Sequence, residues 1–314
     1  MVIEESHSGI SFIVPVYNEA GAIVDTLERL HKTLKATGRP FEIIAVDDGS
    51  SDESGALAEG CNGVRVVRHP VNSGYGRTLK TGILGARYDW IAIADADGTY
   101  PIEELDSLIE RMDQGFDMVV GCRQNVLKLD RPLKRMFRRT FIGVLSFLLN
   151  QRIEDPNSGF RIFKRDLAME YFPFLCDAFS FTTSLTVFAF GSGYRFVSYV
   201  PITYEVRTGD SKVRHVRDSM RTAQLIVQGI TYSNPVKFFL MLAVAFLGGV
   251  AVPAGILSLV DVTWANYFFV TGVTVSVLVG MGVMCDTIRI AITRASRIDG
   301  DQKPLAQALP EERD

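Results

Sequence analysis

Short apolar runs alternate with helical periodicity between residues 10 and 121. The strand-like runs cover residues 10–16, 41–46, 64–67, 90–94 and 118–121. Apolar residues recur at helical spacing in the segments 20–34, 78–86 and 102–112. Strands that alternate with helices predict parallel pairing through right-handed crossovers, and strands that are nearly continuous in apolar residues predict a sheet covered on both faces. The pattern therefore predicts an α/β fold of the Rossmann-like kind.

Carboxylates directly follow two of these predicted strands. Asp47 and Asp48 come after the run 41–46, and Asp95 and Asp97 after the run 90–94. Ligands of open α/β sheets bind beyond the carboxyl ends of the strands, so we expect the four carboxylates to share one crevice. An Asp-x-Asp pair on a turn can hold Mg²⁺ or Mn²⁺, with a substrate diphosphate completing the coordination. The alternative is a pair of solvated turn residues, which is common for Asp-Gly.

The longest apolar stretch, residues 238–285, contains a single charged residue, Asp261. Each half exceeds the roughly 20 residues that a helix needs to cross about 30 Å of hydrocarbon, which favours two transmembrane helices over two buried core helices. Lys237 precedes the stretch and Arg289 follows it, with no basic residue near Asp261. The positive-inside rule then places both termini in the cytoplasm. Residues 1–9 are short and polar, so we predict no signal peptide.

A second membrane signal lies upstream, at about residues 126–150. Its basic residues interleave with apolar ones and comprise Lys128, Arg131, Lys134, Arg135, Arg138 and Arg139. This pattern is typical of an amphipathic helix on an anionic membrane surface, although a solvated helix is the alternative. We therefore predict a cytoplasmic catalytic domain at 1–211, a juxtamembrane amphipathic helix at 212–236, two transmembrane helices within 237–290 and a cytoplasmic tail at 291–314.

Composition and missing motifs narrow the chemistry. The 314 residues are 47% hydrophobic, with a mean hydropathy of +0.15 and a formal net charge of −3. The four cysteines form no Cys-x-x-Cys pair, so neither a zinc site nor a disulfide framework is predicted. No Gly-x-Gly-x-x-Gly follows the first strand and no P-loop occurs, which argues against a dinucleotide-dependent dehydrogenase and a P-loop NTPase. We expect no nucleic-acid partner.

Several motifs in order carry a family resemblance. Residues 14–19 (VPVYNE), 46–52 (VDDGSSD), 72–76 (NSGYG) and 95–97 (DAD) resemble family 2 glycosyltransferases with the GT-A fold. Residues 121–123, 132–135, 155–161 and 207–212 are similar to the dolichol-phosphate mannose synthase and polyprenyl-phosphate glycosyltransferase branch of that family. Two C-terminal membrane helices also suit this branch.

The resemblance implies roles for individual residues. Asp95 and Asp97 would bind Mg²⁺ or Mn²⁺ and the donor diphosphate, and these two would form the catalytic group with Arg123. The donor nucleotide would contact Pro15, Tyr17, Glu19, Asp47, Asp48 and Ala96. The acceptor phosphate would contact Arg123, Arg135, Arg139, Arg207, Ser211 and Lys212. The chain departs from its relatives at Thr99, where a Gln often joins the metal site, and at Arg139, where a small hydroxyl residue is common.

The implied function is metal-dependent, inverting transfer of a hexose from a GDP- or UDP-sugar to the phosphate of a dolichyl or undecaprenyl phosphate. A phosphate acceptor is already anionic at pH 7, so it needs charge neutralisation and positioning more than a general base. A processive polysaccharide synthase is a rival, but its Gln-x-x-Arg-Trp motif cannot exist with Trp90 and Trp264 as the only tryptophans. A non-catalytic membrane tether is the second rival. Self-association through the glycines at 248–249 or 280–282 stays open.

Overall fold

The computed structural model describes residues 9–125, 132–204, 234–252 and 270–288, together with 227, 231, 255–256 and 267. The chain divides into two compact units, Met1–Gly229 and Ile230–Asp314. Arg207, Ser211 and Lys212 lie outside the described residues, as do most of the predicted juxtamembrane helix and all of the predicted tail.

A seven-stranded sheet forms the centre of the first unit, with the strand order β3-β2-β1-β4-β6-β5-β7. The strands are β1 (Ile10–Val16), β2 (Phe41–Asp47), β3 (Val64–Arg68), β4 (Trp90–Ile93), β5 (Met118–Arg123), β6 (Arg161–Lys164) and β7 (Val197–Ile202). The described helices around it are α1 (Ile23–Ala36), α2 (Ser54–Glu59), α3 (Tyr75–Gly85), α4 (Leu105–Asp113), α5 (Pro132–Leu149), α6 (Arg165–Glu170) and α7 (Phe181–Gly191). The five strands predicted from the sequence are all present.

The sheet is mixed rather than wholly parallel, which corrects the prediction from the alternation of strands and helices. Strands β1 to β4 pair in parallel, and so do β5 and β7. Strand β6, however, lies antiparallel between β4 and β5, so that Arg161 is opposite both Ile93 and Val120. The amino end of β6 therefore reaches the same edge of the sheet as the carboxyl ends of β1, β2 and β4.

Two apolar layers cover the faces of the sheet. Phe12 and Val14 pack on one face with Leu30 of α1, while Ile13 packs on the other with Leu79 of α3. Successive strand residues point to opposite faces, so β1 needs apolar side chains at nearly every position to fill both layers, and its one polar residue, Ser11, is buried. Full burial of such a side chain contributes about 1.5–3 kcal/mol, and burial on both faces of the sheet accounts for the nearly continuous apolar runs in the sequence.

Helix α5 falls within the predicted basic segment. Leu145 and Leu148 are buried, but Met136, Phe137 and Phe147 are 55%, 64% and 59% exposed. The helix thus packs along part of its length and presents large apolar side chains to its surroundings along the rest. An apolar surface of this kind on a helix that also carries arginines is typical of an interaction with a partner or a membrane.

The second unit contains two described apolar helices, α8 (Pro235–Phe246), which continues into a π-turn at Leu247–Ala251, and α9 (Val270–Ile288). Among the described residues, α9 alone is long and apolar enough to cross a membrane. The two helices touch where Gly282 faces α8: a Cβ at this position would lie 3.0 Å from Cβ of Phe239. Because residues 257–266 are outside the described part, the two-helix hairpin stays a prediction.

Candidate active site

A cavity of about 630 Å³ opens at the sheet edge where β1, β2 and β4 end. It is lined by most of the residues that the sequence assigned to the donor and the metal, namely Pro15, Tyr17, Glu19, Asp48, Asp95, Ala96 and Asp97, and by Arg123, which the sequence assigned to catalysis and the acceptor phosphate. Other lining residues carry no sequence-based role and include Tyr75, Tyr100, Asn157, Gly159, Phe179 and Thr182. Asp47, Arg135 and Arg139 are described but are not among the residues that line it.

The two neighbouring acids at the end of β2 point to different places. Asp48 is buried and accepts hydrogen bonds from the main-chain N–H groups of Ser73 and Gly74, both at 2.8 Å. Asp47 accepts instead from the N–H of Ser50 at 2.9 Å and lies 3.9 Å from Nε of Arg68. Successive residues at a strand end alternate in direction, which accounts for the split. Only Asp48 reaches the cavity, so the nucleotide contact assigned to Asp47 stays a prediction.

A histidine completes the surroundings of Asp48. Nδ1 of His69 lies 2.8 Å from Oδ1 of Asp48, and Nε2 lies 2.9 Å from Oγ1 of Thr81. His69 therefore links the end of β2 to helix α3.

The loop after β1 is held by the loop after β2. Asn18 adopts a left-handed backbone conformation with φ of 53°, and its Oδ1 accepts a hydrogen bond from the N–H of Ser51 at 2.7 Å. The N–H of Glu19 donates to Oγ of Ser54 at 2.7 Å. Asn tolerates the left-handed region better than most residues, which explains its position here. These bonds fix the backbone on both sides of Tyr17 at the cavity wall.

Asp95 lies between two loops that come from distant parts of the chain. The hydroxyl of Tyr75 donates to Oδ1 of Asp95 at 2.9 Å. On another side, a Cβ added to Gly159 would lie 3.0 and 3.1 Å from the two carboxylate oxygens. The N–H of Gly159 in turn donates to the hydroxyl of Tyr100 at 2.7 Å. Burial, followed by the nearby charge of Asp95, raises the pKa of Tyr75 well above its usual value, so this hydroxyl stays protonated as a donor.

Asp97 is oriented by its own turn. Its Oδ1 accepts hydrogen bonds from Oγ1 of Thr99 at 2.6 Å and from the N–H of Thr99 at 3.2 Å. Gly98 supplies the positive φ of 72° that the turn needs. Thr99 is buried and does not line the cavity, so its hydroxyl supports Asp97 within the turn.

The two carboxylates fit a divalent ion that a substrate completes. Both Asp95 and Asp97 line the cavity, and carboxylate oxygens are the ligands that Mg²⁺ and Mn²⁺ prefer. Within the described part of the chain, no cluster of three or more His, Cys, Asp or Glu side chains could hold a metal. A divalent ion at this pair would take its remaining ligands from water and from substrate phosphate.

Arg123 enters the cavity already paired. Its Nε and Nη2 atoms donate to the two oxygens of Asp155 at 2.7 and 2.9 Å, and its guanidinium lies 5.2 Å from the ring centre of Tyr204. Burial alone would raise the pKa of Asp155, but the hydrogen bonds and charge of Arg123 outweigh it and lower that pKa below its usual value. The side chains are 10% and 5% exposed, so the pair is a buried, charged clamp.

Arg161 forms a second buried anchor that the sequence did not reveal. Its guanidinium is fully buried and donates to the carbonyls of Pro156, Ser158 and Thr182 and to Oγ1 of Thr186. Burial lowers its pKa to about 10. Arg161 thereby ties the loop before β6 to helix α7, and both segments line the cavity.

Comparison with known proteins assigns this architecture to a family. The sequence pattern described as glycosyl transferase family 2 matches residues 11–172, more than half of the chain. The chain belongs to glycosyl transferase family 2. This glycosyltransferase therefore carries its Asp95-x-Asp97 pair, its loop at 72–76 and Asp155 within the region that defines the family.

The glycosyltransferase is similar to curated bacterial enzymes over part of its length. It is 37% identical over 121 residues to an undecaprenyl-phosphate 4-deoxy-4-formamido-L-arabinose transferase of Pseudomonas paraeruginosa, which is 37% of this chain and 36% of that protein. It is 28% identical over 213 residues to the protein of the same name from Klebsiella pneumoniae, which is 66% of this chain and 63% of the relative. The matched region thus spans less than two thirds of either relative.

Solved structures confirm the GT-A-like fold of the glycosyltransferase. Glucosyl-3-phosphoglycerate synthase from Mycobacterium tuberculosis superposes with a TM-score of 0.59 and 18% identity, over 71% of this chain and 80% of that chain. A second structure of that synthase, solved with Mn²⁺, UDP and glucosyl-3-phosphoglycerate, gives a TM-score of 0.58 at 18% identity over the same shares. At this level of identity the likeness is one of fold.

Proposed function

We propose that this glycosyltransferase transfers a hexose from a GDP- or UDP-sugar to the phosphate of a polyprenyl phosphate, dolichyl or undecaprenyl, with inversion at the anomeric carbon. The observation that carries the proposal is a single cavity that contains two carboxylates suited to a metal and a buried, permanently charged arginine. Such a cavity suits two phosphate-bearing reactants, one at the acidic end and one beside the cation.

The donor would lie along the ends of β1, β2 and β4. Pro15, Tyr17, Glu19 and Asp48 would contact the nucleoside, with Ala96 beside it, and Asp95 and Asp97 would face the diphosphate. A bound Mg²⁺ or Mn²⁺ would neutralise the diphosphate as it leaves. The chain's own contribution is to hold the donor rigidly, because the loops at 18–19 and 72–74 are tied by hydrogen bonds to the end of β2 and the loop that follows it.

The acceptor phosphate would meet Arg123, whose guanidinium is oriented by Asp155 before any substrate arrives. Arg135 and Arg139 on α5 would supply further positive charge, and so would Arg207, Ser211 and Lys212 in the part of the chain that the structure does not describe. Arginine suits phosphate because its planar donors can bond two oxygens at once. The names of the curated relatives, which include undecaprenyl phosphate, support this class of acceptor.

A membrane location supports the same acceptor. Helix α5 combines half-buried Arg135, exposed Arg139 and four exposed large apolar side chains, which suits the surface of an anionic bilayer. Helix α9 is long enough to cross the hydrocarbon, and Gly282 lets it approach α8 closely, as small residues do between membrane helices. We propose a multi-pass chain with a cytoplasmic catalytic domain at 1–211, a juxtamembrane helix at 212–236, two spanning helices within 237–290 and a tail at 291–314.

A second candidate concerns the sugar. The curated relatives are named for 4-deoxy-4-formamido-L-arabinose, which is a pentose derivative rather than a hexose. Their names favour including a nucleotide-linked 4-deoxy-4-formamidopentose beside the hexose donors in any activity screen.

The proposal is tested by nucleotide release from purified full-length protein in detergent. A panel of UDP- and GDP-sugars would be supplied with and without undecaprenyl phosphate and Mg²⁺. We expect release that requires both the lipid and the metal. Asp97→Asn should lower the rate by roughly 100-fold or more, because metal stabilisation of a leaving group supplies several kcal/mol. The matched control is Asp113→Asn, which alters an exposed acid paired with Arg39.

Three results would contradict the proposal, each in its own way. Turnover without the lipid would assign another acceptor. A product ladder of growing saccharides would favour a processive synthase. Absence of turnover with every donor, in protein that binds the lipid, would favour the membrane tether.

A further inference from the structure

The loop at residues 72–76 is held at both ends by main-chain contacts. At its start, the N–H groups of Ser73 and Gly74 donate to Asp48. At its end, a Cβ on Gly76 would lie 1.9 Å from the carbonyl oxygen of Cys176, so only glycine fits there. The N–H of Arg77 donates to the carbonyl of Asp177 at 3.0 Å. Tyr75 therefore projects from a backbone that has little freedom to move.

The side chain of Tyr75 is fixed as well. Its ring stacks on Phe179 with the ring centres 5.8 Å apart and an angle of 13° between the planes. Its hydroxyl reaches Oδ1 of Asp95 at 2.9 Å. Gly159 approaches both oxygens of the same carboxylate with its main chain. Asp95 is thus confined between a phenol on a rigid loop and a glycine backbone.

We propose that Tyr75 is a positioning residue, which holds Asp95 against Gly159 in the orientation that a divalent metal requires. The inference rests on the proposed function in that it takes Asp95 and Asp97 as the metal ligands. It also explains how the two ends of the donor site are joined. Asp48, on the nucleoside side, anchors the loop from which Tyr75 reaches the metal ligand.

Tyr75 would act as the hydrogen-bond partner of a metal ligand, Asp95. A hydrogen bond to an ionised carboxylate is stronger than one between neutral groups, and it restricts the carboxylate to one rotamer. Loss of such an outer partner typically weakens metal binding by 10- to 100-fold. Because Tyr75→Phe keeps the ring and its stacking on Phe179, this substitution removes the hydroxyl alone.

The test measures metal binding directly. Mn²⁺ would be titrated into full-length protein in detergent with saturating UDP, and the free Mn²⁺ signal would be followed by electron paramagnetic resonance. We expect Tyr75→Phe to weaken Mn²⁺ binding by roughly 10- to 100-fold, while UDP binding in EDTA stays at the wild-type value. The control Asp113→Asn alters an exposed acid that is paired with Arg39 and does not line the cavity, and it should keep wild-type Mn²⁺ affinity.

A second variant acts on Asp95 from the other side. Gly159→Ala adds a methyl group 3.0–3.1 Å from the carboxylate oxygens of Asp95, so the carboxylate must shift by a few tenths of an ångström, and we expect the same selective loss of Mn²⁺ binding. If Tyr75→Phe also loses UDP binding in EDTA, its site is misfolded. Gly159→Ala then provides the test of the inference. Wild-type Mn²⁺ affinity in Tyr75→Phe, or in Gly159→Ala, would overturn the inference.

The outcome separates this inference from the proposed function. Lipid-dependent transfer by the wild type together with unchanged Mn²⁺ binding in Tyr75→Phe would overturn only the role of Tyr75. Weaker Mn²⁺ binding in Tyr75→Phe together with no transfer to polyprenyl phosphate by the wild type would overturn only the acceptor.

Discussion

Single residues in this site work as charged or polar pairs that are buried together. Arg123 and Asp155 are nearly inaccessible, and each would be costly to bury alone. Asp155 also holds the guanidinium of Arg123 in one orientation at the cavity wall. The cost of desolvating both charges is recovered only because two good hydrogen bonds join them.

The first prediction concerns the loss of the Asp155 carboxylate from its ion pair with Arg123. Asp155→Asn should lower the free energy of unfolding by about 3–5 kcal/mol, because Arg123 is left as an uncompensated buried charge. Urea denaturation of the variant and the wild type measures the difference. Asp113→Asn, which breaks the exposed pair with Arg39, should change it by about 1 kcal/mol or less. Equal losses in the two variants would contradict the buried role of Asp155.

The second prediction follows from the lowered pKa of Asp155. A carboxyl whose pKa is lower in the folded state stabilises the fold above its unfolded pKa, and this stabilisation is lost as the pH falls through the folded value. The stability advantage of the wild type over Asp155→Asn should therefore be full at pH 7 and shrink below about pH 4. Unfolding curves of both proteins over this range provide the measurement. An advantage that grows on acidification would reverse the assigned sign.

At the scale of elements, helix α5 exposes a surface that suits binding to a partner. Its exposed Phe137 and Phe147 lie on the same helix as half-buried Arg135 and exposed Arg139. A bilayer surface would cover the rings and attract the arginines together. Water alone would leave the rings exposed at a cost of apolar hydration.

The third prediction tests that surface. Phe137→Trp, in a chain whose Trp90 and Trp264 are replaced by Phe, should show blue-shifted fluorescence in vesicles and quenching by brominated lipid. Leu84→Trp in the same background is the matched control, because Leu84 is 55% exposed at the carboxyl end of α3. We expect no quenching there. Equal quenching at both positions, or at neither, would exclude α5 as the segment that contacts lipid.

Elements also show what the sequence could and could not reveal. Strands β1 to β5 were predicted because local apolar runs specify them. Strand β6 has four residues, Arg161–Lys164, with a charge at each end, and only its distant partners β4 and β5 make it a strand. The residues of the site divide in the same way, into those that local sequence specifies and those that depend on distant contacts. Asp48, Asp95 and Asp97 were predicted from strand ends, whereas Tyr75 and Asp155 gain their roles from contacts with residues remote in sequence.

At the scale of the whole molecule, the proposed membrane topology rests on the apolar stretches of the second unit. Asp261 separates two apolar stretches, and basic residues lie only at their outer ends. With two spanning helices, both ends of the chain would be cytoplasmic and Asp261 would be on the opposite side.

The fourth prediction tests this arrangement in a bacterial host. Alkaline phosphatase fused after Asp261 should be active, since the enzyme matures only outside the cytoplasm, while green fluorescent protein fused after Asp314 should fluoresce. A phosphatase fusion after Asp314 is the control and should be inactive. Inactive phosphatase at Asp261 would mean that the apolar stretches do not form a spanning hairpin.

The antiparallel insertion of β6 has a consequence for how this enzyme can diversify. The chain leaves the sheet after Arg123 and returns at Arg161, and both points lie at the edge that contains the cavity. The segment 124–160, which includes α5, therefore begins and ends at this edge of the sheet. Exchanging residues 124–160 between homologous enzymes should thus alter which acceptor is accepted and leave the nucleotide preference unchanged, so that the two halves of the reaction can evolve as separate modules.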